Sequence, residues 1–310
     1  MEKMTRREAL GRIYRAIVAA GASSFVTFDD LLAAEAQSDK RLNVVWLHGS
    51  SCSGCSCALL DIEYVPVLDI LTKFTNIVFH PDLSLATGDQ VSDIIDRLLK
   101  SDLDYLFVLE GGIPTTLPHA CLMGDKPMTE WVEPVAKRAT AAIGAGTCAA
   151  LGGIPAMYGT TAGSKTLEGF LAQRGVKTPV VNLPGCPMKP EHFVYTVLHY
   201  AMKGSFPEVD GHHRPTKFFG RTLHERCIYY ADFQEKNYAR FIGDRGCMLK
   251  LGCQGPVTRY DCLVTGYNNN TSNCIKAGHP CVGCASEQFP RQIMYHSYGD
   301  KRAIKNRRGR

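Results

Sequence analysis

LNVVWLHGSSCSGCS occupies residues 42–56. Its first seven residues, 42–48, are nearly all apolar and read as a buried strand. A Gly/Ser loop follows with Cys52 and Cys55, then a helical stretch near 56–73. The same rhythm continues for some 150 residues. NIVFHPDLS (76–84) reads as a second strand, followed by a helix at about 89–100. DYLFVLEG (104–111) is a third, ending in the Pro/Gly loop GGIPTTLP. A helix near 129–138 contains Pro134, which marks a start or a kink. ATAAIGAGTC (139–148) and TPVVNLPGC (178–186) are the fourth and fifth strands, and a helix at about 190–203 closes the series. Strands separated by helices imply a parallel sheet with helices on both faces, an α/β fold of the flavodoxin-like or Rossmann-like class.

After about residue 206 this rhythm stops. The remainder is rich in Gly, Pro, Cys, His and Asn and has no long apolar periodicity. Such a segment builds no ordinary core, and bound metal is the natural way to hold it. The expected organisation is a leader or N-terminal helix (1–40), a flavodoxin-like domain (41–208), an irregular domain (209–300) and a basic tail (301–310).

Composition bounds the function. With 45% hydrophobic and 21% charged residues the chain reads as globular, and a net charge of +5 is modest for 310 residues. No basic stripe is interleaved with aromatics, so nucleic-acid binding is not expected. No apolar run reaches the ~18 residues that span a bilayer. The tail KRAIKNRRGR (301–310) reads as a solvated end, or as a peripheral contact with an acidic partner or lipid surface. TRREALGRIY (5–14), the short apolar run AIVAAGASSFV (16–26) and AEA (34–36) resemble a twin-arginine export signal, which implies a periplasmic location. An attached N-terminal helix and a cytoplasmic location are the alternative.

Thirteen cysteines is the outlying number. The count is odd, the cysteines cluster and the chain is not small, so a disulfide scaffold fits poorly and metal fits better. Cys52 and Cys55 follow the first strand, Cys148 ends the fourth and Cys186 follows the fifth. All lie at carboxyl ends of strands, where open α/β sheets bind ligands. Each is flanked by a glycine (Gly54, Gly146, Gly185), which lets the backbone come close to a bulky group. One local pair plus two distant singles suits an iron–sulfur cluster assembled by the fold better than zinc.

The second half offers His224, Cys227, Cys247 and Cys253, then Cys262, Cys274, Cys281 and Cys284. Twelve donors fall into three sets of four, leaving Cys57 and Cys121 over. Three redox clusters in one chain would move electrons over distance. Zinc ribbons, and disulfides formed after export, are the competing readings. No P-loop, no G-x-G-x-x-G after the first strand and no haem motif is present, so the catalytic centre is expected on another chain.

Seven motifs in order resemble one family: WLHGSSCSGCS (46–56), EGGIP (110–114), GTCAALGG (146–153), NLPGCPMKPEHF (182–193), RPTKFFGRTLHERC (214–227), GCMLKLGCQGPVTRYDC (246–262) and AGHPCVGC (277–284). The chain resembles the small, electron-transferring subunit of NiFe hydrogenases. The resemblance implies a heterodimer whose large subunit holds the Ni–Fe site, with a cytochrome or quinone-linked protein as acceptor. It implies no acid, base or H2 site on this chain. It assigns Cys52, Cys55, Cys148 and Cys186 to a proximal 4Fe-4S cluster. His224, Cys227, Cys247 and Cys253 fall to a distal 4Fe-4S cluster with one His ligand, and Cys262, Cys281 and Cys284 to a medial one.

Many relatives carry proline where this chain has Cys274, and their medial cluster has three irons. A cysteine there would supply a fourth ligand, so 3Fe-4S and 4Fe-4S are both carried forward. Cys121 lies near one of two extra cysteine positions found in oxygen-tolerant relatives, whereas Gly54 occupies the other. The plain reading of Cys57 and Cys121 is as small buried hydrophobes. An iron–sulfur subunit of a quinone-reductase-type complex, sharing the α/β half, and a zinc-stabilised non-redox protein are the alternatives to the hydrogenase reading.

Overall fold

The computed structural model describes residues 41–63, 67, 74–157 and 160–290. The leader and the basic tail, with the expectations attached to them, lie outside the described residues, as does most of the stretch after 60 expected to continue the first helix. The chain divides into two compact units between Lys217 and Phe218.

The first unit is built on a five-stranded parallel sheet. Its strands are β1 (Leu42–His48), β2 (Thr75–Phe79), β3 (Leu106–Glu110), β4 (Ala141–Ala145) and β5 (Val180–Leu183). Their spatial order is β2-β1-β3-β4-β5, the flavodoxin-type winding, whose strand order reverses beside β1. β3 and β4 are buried along their whole length, as central strands covered on both faces must be.

Helices α1 (Gly54–Leu60), α2 (Asp89–Lys100), α3 (Met128–Arg138), α4 (Gly146–Leu151), α5 (Leu167–Gln173) and α6 (Pro190–Lys203) join the strands. In α2, Val91, Ile95 and Leu98 are buried, the i, i+4, i+7 stripe of a helix laid on a sheet. They share a core with Phe107, Leu109 and Trp131.

Three readings of local structure need correction. Cys148 does not end a strand: β4 stops at Ala145, Gly146 takes φ +79°, and Cys148 sits in α4. A left-handed residue cannot continue a strand, so the glycine turns the chain at once into helix. The second strand ends at Phe79, because the peptide N–H groups of Leu83 and Ser84 fold back onto the His80 carbonyl. α5 was not foreseen; seven residues with one helical face of Leu167, Phe170 and Leu171 are too short a signal. Pro134 is accommodated inside α3.

A turn after α6 is fastened by one buried ion pair. Arg214 is 3% exposed and donates Nε and Nη2 to Asp210 Oδ2 at 2.8 and 2.7 Å. The peptide N–H groups of His212 and Arg214 donate to Oδ1 at 2.9 and 3.0 Å. Burial alone would raise the Asp210 pKa, but the Arg214 contacts outweigh it and hold it below the usual value. A depressed carboxylate stabilises the fold above its unfolded pKa, near ~3.9, and that contribution is lost as pH falls through the folded value. Asp210→Ala removes the two-atom carboxylate contact of a buried guanidinium and should cost about 2–4 kcal/mol at pH 7. Asp210→Asn should flatten the fall in stability below about pH 4. Denaturant unfolding of both variants across pH checks each.

The second unit has no strand ladder among its described residues, only single bridges such as Thr222 with Arg259 and Tyr238 with Cys247. Among its described residues the longest helix, Tyr230–Gln234, has five residues. Among the described residues no helix is long and apolar enough to cross a membrane.

Candidate metal centres

The first site gathers at the carboxyl edge of the sheet. After β1 the loop is tied to the end of β3: Gly49 N–H donates to the Glu110 carbonyl and Ser50 N–H to that of Gly112, both at 2.7 Å. Ser53, at φ 58°, turns the chain into α1, which presents Cys55 on its buried side, while Cys52 remains exposed. Thr147 N–H donates to the Gly185 carbonyl at 2.9 Å, and Gly185 N–H returns to Thr147 Oγ1 at 2.8 Å. That exchange fixes α4 with Cys148 against the loop with Cys186. Cys55 lies within electrostatic reach of Cys148 and Cys186, and Cys148 of Cys52. A Cβ on Gly146 would run into Cys55 Sγ, so only glycine fits there.

Glu110 organises this edge. Its carboxylate accepts from Ser51 Oγ (2.9 Å), Cys55 N–H (3.1 Å), Ser56 N–H (3.1 Å) and Ser56 Oγ (2.6 Å), and lies 3.2 Å from His48 Nε2. It therefore satisfies the first amides of α1, whose own N-cap residue makes no side-chain bond. Burial would raise its pKa, yet the hydrogen bonds from His48 and Ser56 bring it down to about 2. This role was missed in the sequence, although the signal exists: one acid ends the apolar run YLFVL.

His48, His80 and Asp82 also lie close together. His80 Nδ1 accepts the Asp82 N–H at 3.1 Å, which places its proton on Nε2, 3.2 Å from Ser56 Oγ. Burial lowers the His80 pKa to about 4, so the ring stays neutral. The group is thus a hydrogen-bond network bracing α1, with His80 offering no open nitrogen to a metal.

In the second unit His224, Cys227, Cys247 and Cys253 line one cavity, walled by Leu223 and Met248 among others. His224 opens a single 3-10 turn and Cys227 follows it. Cys247 is held by paired peptide bonds with Asn237 and Ala239, both 3.0 Å. The His224 ring is set edge-on by Phe233 at 4.5 Å and Tyr230 at 5.2 Å between centroids.

The third group forms around Cys281, which feels Cys284 and Cys274 and also Cys253 of the second group. Tyr267 stands within reach of both Cys262 and Cys284. His279 N–H donates to the Cys274 carbonyl at 2.8 Å, folding that residue back toward the Cys281 loop. Cys281 also lines the cavity of the second group, and Cys262 meets the third group through its shared neighbour Tyr267. Cys281 N–H donates to Cys253 Sγ at 3.4 Å, joining the second and third sets directly.

All thirteen cysteines are described and none is in a disulfide. Burial first pushes the Cys55, Cys148, Cys253 and Cys281 thiols up; the Glu110 carboxylate then adds to it at Cys55, and neighbouring sulfurs add to it at all four. Four thiolates cannot share such a pocket unless cationic iron or zinc compensates them. Peptide N–H groups aimed at sulfur, from Met188 to Cys55 and Gly283 to Cys281, both at 3.4 Å, suit metal-bound thiolate. The donor sets therefore fit metal clusters.

Trp46 is buried between His80 and Phe193. Lys250 covers the Tyr238 ring, and Arg259 donates to the Gly220 carbonyl at 2.6 Å. Cys121 packs against the core as expected, but Cys57 is exposed, because α1 buries Cys55, Ser56 and Leu59 and turns Cys57 outward.

Residues 219–296 match the family described as the C-terminal part of the NiFe/NiFeSe hydrogenase small subunit, and residues 52–200 match the family described as NADH ubiquinone oxidoreductase, 20 Kd subunit. The periplasmic NiFeSe hydrogenase small subunit of Desulfomicrobium baculatum is 30% identical over 305 residues, 93% of this chain and 96% of that one. The quinone-reactive Ni/Fe-hydrogenase small chain of Wolinella succinogenes is 30% identical over 272 residues, 85% of this chain and 75% of that one. The crystal structure of a reduced, active Ni-Fe-Se hydrogenase from Desulfomicrobium baculatum matches with a TM-score of 0.78 at 31% identity, covering 83% of this chain and 99% of that one. Likeness sustained in both sequence and backbone over almost the whole of a relative shows that the chain belongs to the small-subunit family of NiFe and NiFeSe hydrogenases.

Proposed function

We propose that this chain is the electron-transfer subunit of a hydrogenase heterodimer, pairing with a large subunit that holds the Ni–Fe site. What supports it is the placement of Cys52, Cys55, Cys148 and Cys186 at one sheet edge, of His224, Cys227, Cys247 and Cys253 around one cavity, and of Cys281 within reach of Cys274 and Cys284, with Cys262 and Cys284 sharing Tyr267. Cys52, Cys55, Cys148 and Cys186 would hold the proximal cluster. His224, Cys227, Cys247 and Cys253 would hold the distal one, and Cys262, Cys274, Cys281 and Cys284 a medial 4Fe-4S cluster. Iron–sulfur clusters bound there supply one-electron redox centres. The chain's own residues fix where they sit: Glu110 anchors α1, Phe233 and Tyr230 orient His224, and Cys281 ties the second set to the third. Among relatives, names such as periplasmic and quinone-reactive support export and a quinone-linked acceptor, with a cytochrome as the alternative. We place the route at the twin-arginine pathway through residues 1–40.

The quinone-reductase reading draws on the match over residues 52–200 alone; it leaves the eight donors beyond residue 217 without a role. Co-purification with metal analysis tests the proposal: about twelve irons per chain, a nickel-containing partner and H2-dependent dye reduction are expected. Zinc in place of iron would overturn it. Cys274→Ala should remove about one iron per chain and introduce a three-iron EPR signal in the oxidised protein; that signal in the wild type would sink the four-cysteine assignment.

A further inference from the structure

Two tyrosines stand behind the third set of cysteines. Tyr260 is completely buried, with Phe219 on one side at 5.4 Å and Tyr267 on the other at 5.8 Å between ring centroids. The two hydroxyl oxygens are 3.0 Å apart, and Tyr267 Oη lies 3.5 Å from Cys284 Sγ. Each hydroxyl has one proton to donate and can accept in return. A metal-bound thiolate has no proton and can only accept. Once Cys284 is a ligand, the Tyr267 hydroxyl must donate its hydrogen bond to the sulfur, and its oxygen then accepts from the Tyr260 hydroxyl. Ligation therefore sets the direction of the chain, Tyr260 to Tyr267 to Cys284.

We propose that Tyr267, backed by Tyr260, is a positioning residue that hydrogen-bonds the Cys284 sulfur and raises the reduction potential of the third centre. The inference rests on the reading that Cys262, Cys274, Cys281 and Cys284 hold an iron–sulfur cluster. Reduction adds negative charge to a cluster already bearing thiolates. A donor on a ligand sulfur stabilises that charge, so it favours the reduced state. Enclosure strengthens the effect, and a second hydroxyl polarises the first.

The test is an EPR-monitored redox titration of the intact, iron-loaded heterodimer. Tyr267→Phe keeps the ring and removes the donor. At a fixed ambient potential it should lower the reduced-to-oxidised ratio of the third centre about threefold to tenfold, tenfold being 59 mV for one electron. Tyr260→Phe should move it the same way by less, and the double variant no further than Tyr267→Phe. The other two centres should hold their potentials. A third centre that titrates as wild type in Tyr267→Phe overturns the inference alone, as does an equal shift of all three centres. A third site without iron in the wild type overturns the underlying reading as well. If Tyr267→Phe fails to assemble, Tyr260→Phe decides, since an unmoved potential there removes the relay.

Discussion

If the donor sets hold iron–sulfur clusters as proposed, stripping the iron should unfold the second unit and leave the sheet of the first in place. The reason is the contrast between the two. The first unit has five paired strands and a core that includes Ile95, Phe107, Val132 and Leu171, all essentially inaccessible. Burial on that scale folds a domain of its size without help. The second unit has no ladder and no helix beyond five residues among its described residues, and Cys247, Cys262 and Cys281 are themselves part of its buried apolar set. Its chain bends around cysteines: Cys227 and Cys253 follow a turn, Cys247 precedes a 3-10 helix, Cys262 opens a one-turn helix and Cys284 begins a turn. In small domains of this kind the binding free energy of the metal is the folding free energy, on the order of 10–16 kcal/mol for structural zinc. Without iron, the raised thiols of Cys253 and Cys281 protonate and the cross-links are gone. Hydrogen exchange after anaerobic chelation should show complete loss of protection across 218–290 and retained protection in β3 and β4. A second unit still protected in the iron-free protein would contradict the argument.

Replacing Glu110 should have the next largest effect. Glu110→Ala leaves two peptide N–H groups, two serine hydroxyls and the His48 ring facing a buried hole. Breaking a buried, charge-assisted set of this kind costs about 3–5 kcal/mol. The lowering of its pKa from 4.5 to about 2 is the same interaction seen from the proton's side, worth about 3 kcal/mol. Because two of the stranded amides belong to Cys55 and Ser56, the loss falls on the helix that presents a first-site sulfur. Thermal unfolding should drop accordingly, and the first site should lose iron while the other two keep theirs. Glu110→Gln, which retains one acceptor oxygen, should cost about 1–3 kcal/mol. Equal iron occupancy of the first site in wild type and Glu110→Ala would show that α1 does not depend on the carboxylate.

Much of this protein was legible in its sequence. The strands 42–48 and 104–111 announced themselves because buried parallel strands are near-continuous apolar runs, and such runs with intervening helices leave few ways to wind a sheet. The donors stood out because cysteine is rare and its clustering in a chain of this length has few explanations. The first set pairs two local cysteines in the loop and helix after β1 with Cys148 in α4 and Cys186 after β5, whereas the second and third sets lie in loops and single turns.

Tertiary structure decided what depends on contacts between residues far apart in sequence. That Cys148 belongs to a helix follows from the φ of Gly146, beside which Cys55 leaves no room for a side chain. That Cys274 stands beside Cys281 depends on how the Tyr267 turn closes. The partnership of Glu110 with residues 54 and 55 positions earlier, and of Tyr267 with Cys284, has no periodicity to betray it. Periodicity reports which face of an element is buried. It carries no information about which polar groups meet there, because hydrogen bonds join particular atoms and only the folded chain brings those atoms within 3 Å of one another.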